Sequence, residues 1–596
     1  MRSPIAPWTV GFIGAAVAVL AALVYLVFVI ADVTGGGSND VPLPGGGGDS
    51  GEPSPTPGEE NGDTPGGEEV LFEGEVPESL NLPNMRQAAD DESADLRFAR
   101  TGGDDGLATG YYVPVVAQWT AIDELTSDQL AAALSGGATN WSELGGLDGP
   151  INVYAVEDSA GLEIAGEFAG GVTPDQTFQD YEELVGALEP DSGAVALIPL
   201  EELHVSVSAV TVDGVDLARG YGDPAGWPLV ERVSVEPLTD RGEEALAMLD
   251  ANGPEAPEVT SVVLTGDILP VRCSLQRIEQ SGDWASPFRG EMADYIGSAD
   301  LAIGSWDAGV HDIYDHHRCH EHVNLSTPPE ALEMIHHAGF DGVTIASNHV
   351  FDCGTGGLWC EETFLATLDH FEEAGIPTVG GGRNLEEAFE PLIFERNGLT
   401  FGFLGYDDIQ AMHLGATEDE PGTAPMDDDY SAELAEGYSS MAFDAPVETL
   451  GTDRITERVA ALKEEVDFVI TLPQSGTEDT HDAALRSVKA HRAVADVGAD
   501  VVAANQAHHV QAAEAWDDTF IAYALGNFVY DQRHTPEHYQ CYLVEASFWE
   551  DRLAAVKLIP CQIEDMHRPL FVDDQTRLKI LNDVYSAAAR IPAEVP

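Results

Sequence analysis

The stretch VTIASNHVFDCGTGGL, Val343–Leu358, decides the fold class. Its apolar, β-branched start predicts a strand, and Asn348 and His349 follow that strand directly before a glycine-rich turn. In α/β proteins the end of a strand is a rigid place for a side chain, and the loop after it usually carries the chemistry. Because the glycines already serve the turn, we predict that Asn348 and His349 are site residues.

Polar residues follow apolar runs in the same way elsewhere in this half of the chain. They are Asp267 after VVLTG, Asp307 after LAIGSW, Gln474 and Glu478 after VITLP, and Gln506 and His508 after VVAAN. One such residue is usually a turn residue, but several loops in one register predict a shared cation site of oxygen and imidazole ligands. We expect the side chains of five residues to lie within metal-bridging distance, with Gln474 and Gln506 at the rim; the five are Asp267, Asp307, Asn348, His349 and His508.

The composition is strongly acidic, with 26 basic and 105 acidic residues among 596 and a formal net charge of −79. Such a surface repels phosphate backbones and excludes nucleic acid as a partner. The near absence of lysine is typical of adaptation to high salt, where screening relaxes self-repulsion, and equally of an acidic secreted protein. Composition leaves both halophilic and ordinary secreted origins open.

An uncharged run of about 22 residues, Val10–Ala31, is long enough to span a bilayer. We predict a single-pass transmembrane anchor within residues 1–34, with the body of the chain outside the cell; a cleaved signal peptide is the alternative. Residues 35–75 are rich in glycine, proline and acid and predict a disordered spacer.

Strand and helix patterns alternate between residues 76 and 250, which predicts an α/β domain. LTSDQLAAALSGGATNWSELGGLDGPINVYAVEDSAG and the later GAVALIPLEEL resemble phosphate-type ABC-transporter substrate-binding proteins. The loop Glu157–Gly161 differs from that family, because its two carboxylates would repel phosphate. We therefore expect a scaffold or partner-binding module there rather than a phosphate receptor.

The segment from Val259 to Tyr585 carries a second, more specific resemblance. LTGDILPVR, AGFDGVTIASNHVFDCGTGGL, DVVAANQAHHVQAAE and IAYALGNFVYDQ fall in the order and spacing of the CapA family. CapA-like proteins are linked to poly-γ-glutamate capsule synthesis, and their domain is similar to calcineurin-like metallophosphoesterases. The resemblance implies a layered αββα domain over residues 259–596 that acts on a cell-surface polymer or with its synthesis machinery.

The resemblance also assigns roles to individual positions. The implied ligands of a divalent metal, with Mn, Mg or Zn possible, are Asp267, Asp307, Asn348, His508, Gln474 and Gln506. The implied catalytic groups are His349, Asp307 and Glu478. Asn527 matches the asparagine of the late Gly-Asn-Phe turn and is predicted to bind substrate. Arg272, the nearest basic residue to Asp267 in sequence, is predicted to hold an anionic substrate.

Two imidazoles of the family pattern are replaced here, by Gln474 and Gln506. A glutamine carbonyl is a weaker ligand for zinc-like metals and suits harder ions. Three functions therefore stay open: a metal-dependent hydrolase, a non-catalytic polymer factor that kept the fold, and a binding protein whose N-terminal domain carries the activity.

The six cysteines all lie in the predicted C-terminal domain, and an even number in an exported chain predicts disulfides. CYLVEASFWEDRLAAVKLIPC predicts a hairpin that places Cys541 opposite Cys561. Cys353 and Cys360 close a short loop, and Cys273 and Cys319 remain as the third pair.

The histidine-rich run His311–Val323 predicts a solvated loop or a surface metal trap.

Overall fold

The computed structural model describes residues 70–74, 85–89, 92–100, 106–247, 249, 256–312, 319, 325–353, 360–409, 414–427 and 447–595. The predicted anchor and most of the predicted spacer lie outside these residues, as does most of the histidine-rich run. Within the described part of the chain, no helix is long and apolar enough to cross a membrane. Residues from Glu68 onward form one compact unit.

The N-terminal part of this unit is a mixed α/β layer built on a nine-stranded sheet. Its strands are β1 (Val70–Glu73), β2 (Met85–Gln87), β3 (Leu96–Arg100), β4 (Leu107–Ala117), β5 (Glu124–Leu125), β6 (Asn152–Val156), β7 (Gln176–Phe178), β8 (Ala194–Pro199), β9 (Val207–Ala209), β10 (Thr211–Val212) and β11 (Val230–Pro237). Its helices are α1 (Ser127–Leu134), α2 (Ala160–Ala169), α3 (Tyr181–Leu188) and α4 (Asp240–Leu246).

The order of the large sheet is β2-β1-β3-β11-β4-β8-β6-β7, with β9 also paired to β4, while β10 and β5 pair separately. Strand β1 belongs to this sheet, although the sequence pattern assigned its residues to the spacer. Thr126 caps α1, because its side chain accepts from the Gln129 backbone N–H and the Gln129 side chain accepts from the Thr126 backbone N–H.

The C-terminal part begins at β12 (Thr260–Ile268) and contains two further large sheets. Its other strands are β13 (Leu301–Trp306), β14 (Gly309–Val310), β15 (Ser326–Thr327), β16 (Gly342–Thr344), β17 (Thr378–Val379), β18 (Gly381–Gly382), β19 (Leu392–Arg396), β20 (Leu399–Asp407), β21 (Gly422–Thr423), β22 (Phe468–Gln474), β23 (Val501–Ala503), β24 (Ala513–Trp516), β25 (Thr519–Ala522), β26 (Asn527–Val529), β27 (Gln540–Trp549), β28 (Arg552–Glu564) and β29 (Arg568–Phe571). Its helices are α5 (Arg272–Ser281), α6 (Glu291–Ser298), α7 (Glu333–Ala338), α8 (Glu361–Ala374), α9 (Leu385–Ala388), α10 (Asp453–Lys463), α11 (Leu485–Ala495) and α12 (Asp574–Ala588).

Most of these strands form two sheets that pack face to face, while β14 pairs with β15 and β18 pairs with β21. One has the order β17-β16-β13-β12-β27-β28-β29, with β26 also paired to β12, and the other has the order β19-β20-β22-β23-β25-β24. Side chains alternate across each strand, so Leu264 and Ile303 of the first sheet meet Phe401 and Phe468 of the second in a shared core. Helices cover the outer face of each sheet, which gives the four layers that the sequence predicted.

The parallel arrangement brings the predicted site loops to one edge. Strands β12, β13 and β16 are parallel neighbours, and so are β20, β22 and β23. Their carboxyl ends therefore lie at the same edge of their respective sheets. Asp307, Asn348, Gln474 and Gln506 all follow these ends.

All three predicted disulfides are present: Cys273–Cys319, Cys353–Cys360 and Cys541–Cys561. The predicted hairpin is confirmed, because β27 and β28 pair antiparallel with Cys541 directly opposite Cys561. Both of these cysteines are fully buried.

Replacing both Cys541 and Cys561 with serine should lower the free energy of unfolding. The bond closes a loop with a sequence separation of 20 residues, and a loop of this size restricts the unfolded chain enough to contribute about 3 kcal/mol. Urea unfolding followed by tryptophan fluorescence measures the change. The same pair of substitutions at Cys353 and Cys360, whose separation is 7 residues, should have a smaller effect, and the opposite ranking would contradict the prediction.

Candidate active site at the edge of the C-terminal sheets

A contact between two glycines fixes the first site carboxylate. A Cβ atom at residue 266 would lie 2.0 Å from the Gly526 carbonyl oxygen, so only glycine allows β12 to pass this close to the Leu-Gly-Asn-Phe turn. The Asp267 N–H donates to that same oxygen at 3.0 Å. Strand β12 and the Leu-Gly-Asn-Phe turn, which both carry the family resemblance, are therefore in contact. Asp267 is paired in register with Asn527.

Asp267 is fully buried and hydrogen-bonded on both carboxylate oxygens. The Ser305 hydroxyl donates to Oδ1 at 3.0 Å, and the Gln506 backbone N–H donates to Oδ2 at 3.2 Å. Burial, followed by the repulsion of Asp307, raises the pKa of Asp267 well above its ordinary value. A carboxylate in such a place is destabilised as an anion unless a cation joins it.

Asp307 is the second buried carboxylate of the site. The Ser347 hydroxyl donates to its Oδ1, while Oδ2 has no hydrogen-bond partner among the described residues. Burial raises the pKa of Asp307 to about 6, although the charge of His349 acts in the opposite direction. A buried oxygen with a free lone pair beside a second acid fits a cation ligand.

Asn348 and His349 both lie beside the groups just described. The Gln474 amide donates to Asn348 Oδ1 at 3.3 Å. His349 Nδ1 lies 2.7 Å from Asp352 Oδ2, which also accepts from the Leu325 backbone N–H at 2.7 Å. Burial lowers the pKa of His349, but the charges of Asp352 and Asp307 outweigh it and raise the pKa to about 9. His349 is thus a cation near neutral pH.

The two glutamines do not lie at the rim, so that expectation was wrong. Gln474 and Gln506 are 2% and 1% exposed, and the Gln474 amide donates to Gln506 Oε1 at 3.0 Å. The Gln506 amide in turn donates to Glu478 Oε1 at 3.2 Å. Polar groups this deeply buried need partners, and the chain of amides from Asn348 to Glu478 supplies them.

His508 and Asn527 form the side of the site nearest Asp267. His508 Nδ1 lies 2.8 Å from Asn527 Oδ1 and 3.9 Å from Asp267 Oδ2, and burial lowers the pKa of His508 to about 3. The ring is therefore neutral, as a metal ligand must be. Gln506 and His508 have φ values of 97° and 55°, a conformation that non-glycine residues rarely adopt and that clusters at functional sites.

Arg272 is already engaged within the protein. Its Nε donates to Asp531 Oδ1 at 2.9 Å and its guanidinium stacks 4.6 Å from the centre of the Tyr530 ring. That ring lies 5.4 Å from the His508 ring. Arg272 therefore borders the site, but its side chain is only 8% exposed, and holding a substrate would require it to leave Asp531.

The predicted residues are brought together less tightly than expected. Within the described part of the chain, Asp267, Asp307 and the two site histidines do not place three ligand atoms within 4.8 Å of one another. Serine hydroxyls and amides separate them instead. Sequence reasoning missed the residues that do this, Ser305, Ser347 and Asp352, although each lies within three positions of a predicted site residue.

The predicted ligand loop of the N-terminal part is satisfied internally. Ser159 accepts from the Leu162 N–H and caps α2, while Glu157 accepts from Thr177 at 3.0 Å and from Gln179 at 3.4 Å. The Glu157 carboxylate therefore already has two side-chain donors within the protein.

The sequence comparisons agree with the C-terminal resemblance. Residues 261–532 match the family model described as bacterial capsule synthesis protein PGA_cap. The PGA biosynthesis protein CapA of Bacillus subtilis (strain 168) is 24% identical over 279 residues, which are 47% of this chain and 65% of that protein. The capsule biosynthesis protein CapA of Bacillus anthracis is 24% identical over 311 residues, 52% of this chain and 68% of that protein. The chain thus spans less than two thirds of the Bacillus subtilis relative.

A solved structure resembles a smaller part of the chain. The ABC-type phosphate transport receptor from Vibrio cholerae covers 26% of this chain and 72% of its own, with 19% identity and a TM-score of 0.23. A score this low carries no conclusion about the ligand or activity of the N-terminal part.

Proposed function

Since residues 261–532 belong to the PGA_cap capsule synthesis family, we propose that this protein takes part in the biosynthesis of poly-γ-glutamate or a similar cell-surface polymer. We further propose that it does so as a single-pass membrane protein with its body outside the cell, and that it is a cation-dependent hydrolase. The relatives' names support the first part, and the uncharged run Val10–Ala31 supports the second.

The buried pair Asp267 and Asp307 is the observation that carries the hydrolase proposal. Two carboxylates whose pKa values are both raised by burial form a place where positive charge is favoured. Asp267, Asp307, Asn348 and His508 would hold a divalent cation, and the carbonyl oxygens of Gln474 and Gln506 would add hard ligands. That donor set is rich in oxygen and favours Mn²⁺ or Mg²⁺ over Zn²⁺.

The chemistry follows from the groups around that position. A cation held there would lower the pKa of a water and neutralise charge that develops on a phosphoryl or carbonyl oxygen. His349, protonated and oriented by Asp352, is placed to give a proton to a leaving group. Partial desolvation raises the pKa of Glu478, although much of the residue is exposed, so the carboxylate is suited to accept a proton from water. Asn527 orients His508 through the 2.8 Å contact.

Turnover by the purified full chain in detergent tests the proposal. A generic phosphodiester and poly-γ-glutamate are each incubated with the EDTA-treated protein, with and without added Mn²⁺. We expect hydrolysis of one of them only when Mn²⁺ is present, and a decrease of at least about 100-fold for Asp307→Asn. Equal rates with and without Mn²⁺, or an unaffected Asp307→Asn variant, would contradict it.

A non-catalytic polymer factor is the second possibility, and one observation favours it. Gln474, Gln506 and Asn348 satisfy one another by hydrogen bonds, so the amide chain is stable without an ion. If the protein binds Mn²⁺ and the polymer but hydrolyses neither substrate, this second function replaces the first.

A further inference from the structure

Three metal-ligating side chains meet next to the site, and none of them belongs to it. Asp479 follows Glu478 in the loop after β22, His509 follows His508 in the loop after β23, and His538 lies in a 3-10 helix, Pro536–Tyr539. One potential ligand atom from each lies within 4.8 Å of those of the other two. The group is a cluster of two imidazoles and one carboxylate.

Backbone contacts fix the three loops against one another. The Asp479 N–H donates to the Ala507 carbonyl at 3.1 Å, which joins the first loop to the second. The Asn527 amide donates to the His538 carbonyl at 3.0 Å, which fixes the 3-10 helix. Asp479 has a φ of 62°, a left-handed conformation that sets the direction of its side chain. These contacts therefore fix the backbone of the loops that carry the cluster.

The Thr535 hydroxyl lies between the two imidazoles. It is 3.3 Å from His509 Nε2 and 3.1 Å from His538 Nδ1. A hydroxyl oxygen has two lone pairs and can accept a hydrogen bond from each ring. Such a bond on one nitrogen is the usual way in which a protein orients a metal-binding histidine, because it leaves the other nitrogen with a lone pair.

A purely structural role does not account for the surroundings of the His509 side chain. It is 5% exposed, and its Nδ1 has no hydrogen-bond partner among the described residues. His538 and Asp479, by contrast, pair through Nε2 and Oδ1 at 2.7 Å. An ion-free hydrogen-bond chain accounts for that pair but not for a buried, unpartnered nitrogen at its edge.

We propose that His509 Nδ1, His538 Nε2 and the Asp479 carboxylate form a second cation site, separate from the site at Asp267. Two imidazoles and one carboxylate suit a borderline ion such as Zn²⁺ or Co²⁺, which binds nitrogen and oxygen ligands at about 2.0–2.2 Å. The Asp479 side chain is 58% exposed, so solvent reaches the site and supplies both an entry path and a fourth ligand.

Loading requires one proton to move within His538. In the ion-free chain the Thr535 backbone N–H donates to His538 Nδ1 at 3.2 Å, so Nε2 carries the proton that it shares with Asp479. When Nε2 binds an ion, that proton passes to Nδ1, which then no longer accepts from the Thr535 N–H and instead donates to the Thr535 hydroxyl 3.1 Å away. The ring stays neutral throughout, and Asp479 supplies the negative charge.

Titration of the EDTA-treated full chain in detergent with Co²⁺ tests the proposal. Tetrahedral Co²⁺ gives visible absorption bands, which report the geometry of the site without any assay of activity. We expect His538→Gln and Asp479→Asn each to weaken the site that gives these bands by at least about 10-fold. Asp479→Asn changes an exposed side chain and keeps the fold, so it decides the outcome if a histidine variant unfolds.

Two further variants separate this site from its surroundings. His567→Gln replaces a buried histidine outside the cluster and should leave the bands unchanged. Asp267→Asn removes a ligand of the first site and lowers the total Co²⁺ bound, but it should leave the tetrahedral bands of the second site in place, so the failure of this proposal and that of the proposed hydrolase are distinguishable. The histidine-rich run His311–Val323 contributes equally to every variant. Bands that persist with the same affinity in both Asp479→Asn and His538→Gln would overturn the proposal.

Discussion

Asp267→Asn should abolish tight Mn²⁺ binding and at the same time raise the thermal stability of the metal-free protein. The carboxylate is buried and its folded pKa lies above its ordinary value of 3.8. A carboxylic acid with a raised pKa favours the folded state at low pH and costs stability as the pH rises through that pKa. At neutral pH the neutral amide should therefore recover about 1–3 kcal/mol.

The local hydrogen bonds support this substitution. The new Oδ1 can accept from the Gln506 N–H, and the new amide can donate to the Ser305 hydroxyl, which is able to reverse its role. Loss of a charged ligand should weaken Mn²⁺ binding by at least about 100-fold, measured by the paramagnetic resonance of the free ion. Asp216→Asn, a buried carboxylate of the N-terminal part, is the control and should bind Mn²⁺ normally. A variant that binds Mn²⁺ normally, or melts at a lower temperature without it, would contradict the assignment.

The sequence predicted where the site residues lie in the fold better than how deeply they are buried. Asp267, Asp307, Asn348 and His508 follow strand ends, and the parallel order of the strands brings those ends to one edge. The burial of Gln474 and Gln506 could not be predicted in the same way. Their partners come from each other's loops, more than thirty residues apart or in a different sheet, and no local pattern encodes such a contact.

Local sequence patterns also do not predict the cluster of Asp479, His509 and His538. Asp479 and His509 each stand directly after a predicted site residue, and His538 lies in a segment that resembles no motif. The three side chains meet because the 3-10 helix after β26 lies against the other two loops. The position of that helix is a property of the folded chain. Two disulfides, Cys353–Cys360 and Cys541–Cys561, were predictable for the opposite reason, because hairpin register and short loops are local properties, and Cys273–Cys319 then followed as the remaining pair.

The contact between the N-terminal and C-terminal parts also escaped sequence reasoning. Glu545 of β27 is fully buried, and Arg219 donates to both of its oxygens, from Nε at 2.9 Å and from a terminal nitrogen at 2.7 Å. The Tyr221 hydroxyl donates at 3.0 Å, and the Tyr295 hydroxyl also donates. One arginine thus pairs with two acids, Glu545 and Asp216, and Glu545 also accepts from two phenols, inside a chain with a net charge of −79.

Arg219→Met should lower the free energy of unfolding by about 3–5 kcal/mol, because it leaves Glu545 buried without its cation. Burial raises the pKa of Glu545, but in the native protein Arg219 and the tyrosine hydroxyls outweigh it and lower the pKa below 4.5. This carboxylate therefore stabilises the native fold above pH 4.5, and the contribution is lost as the pH falls through the lower folded pKa. Urea unfolding at several pH values measures both effects.

The variant should reverse the sign of that pH dependence. Without Arg219 the burial of Glu545 dominates and raises its folded pKa, so the variant should gain stability, relative to the native protein, as the pH falls toward 4.5. Arg97→Met removes an arginine that bonds two acids, Glu73 and Glu236, but is 50% exposed, and it should cost no more than about 1 kcal/mol. Adding Glu545→Leu to Arg219→Met should restore much of the lost stability, since the unpaired charge is then removed. Equal losses for Arg219→Met and Arg97→Met, or no recovery in the double variant, would show that the two parts of the chain are joined by apolar packing and not by this buried ion pair.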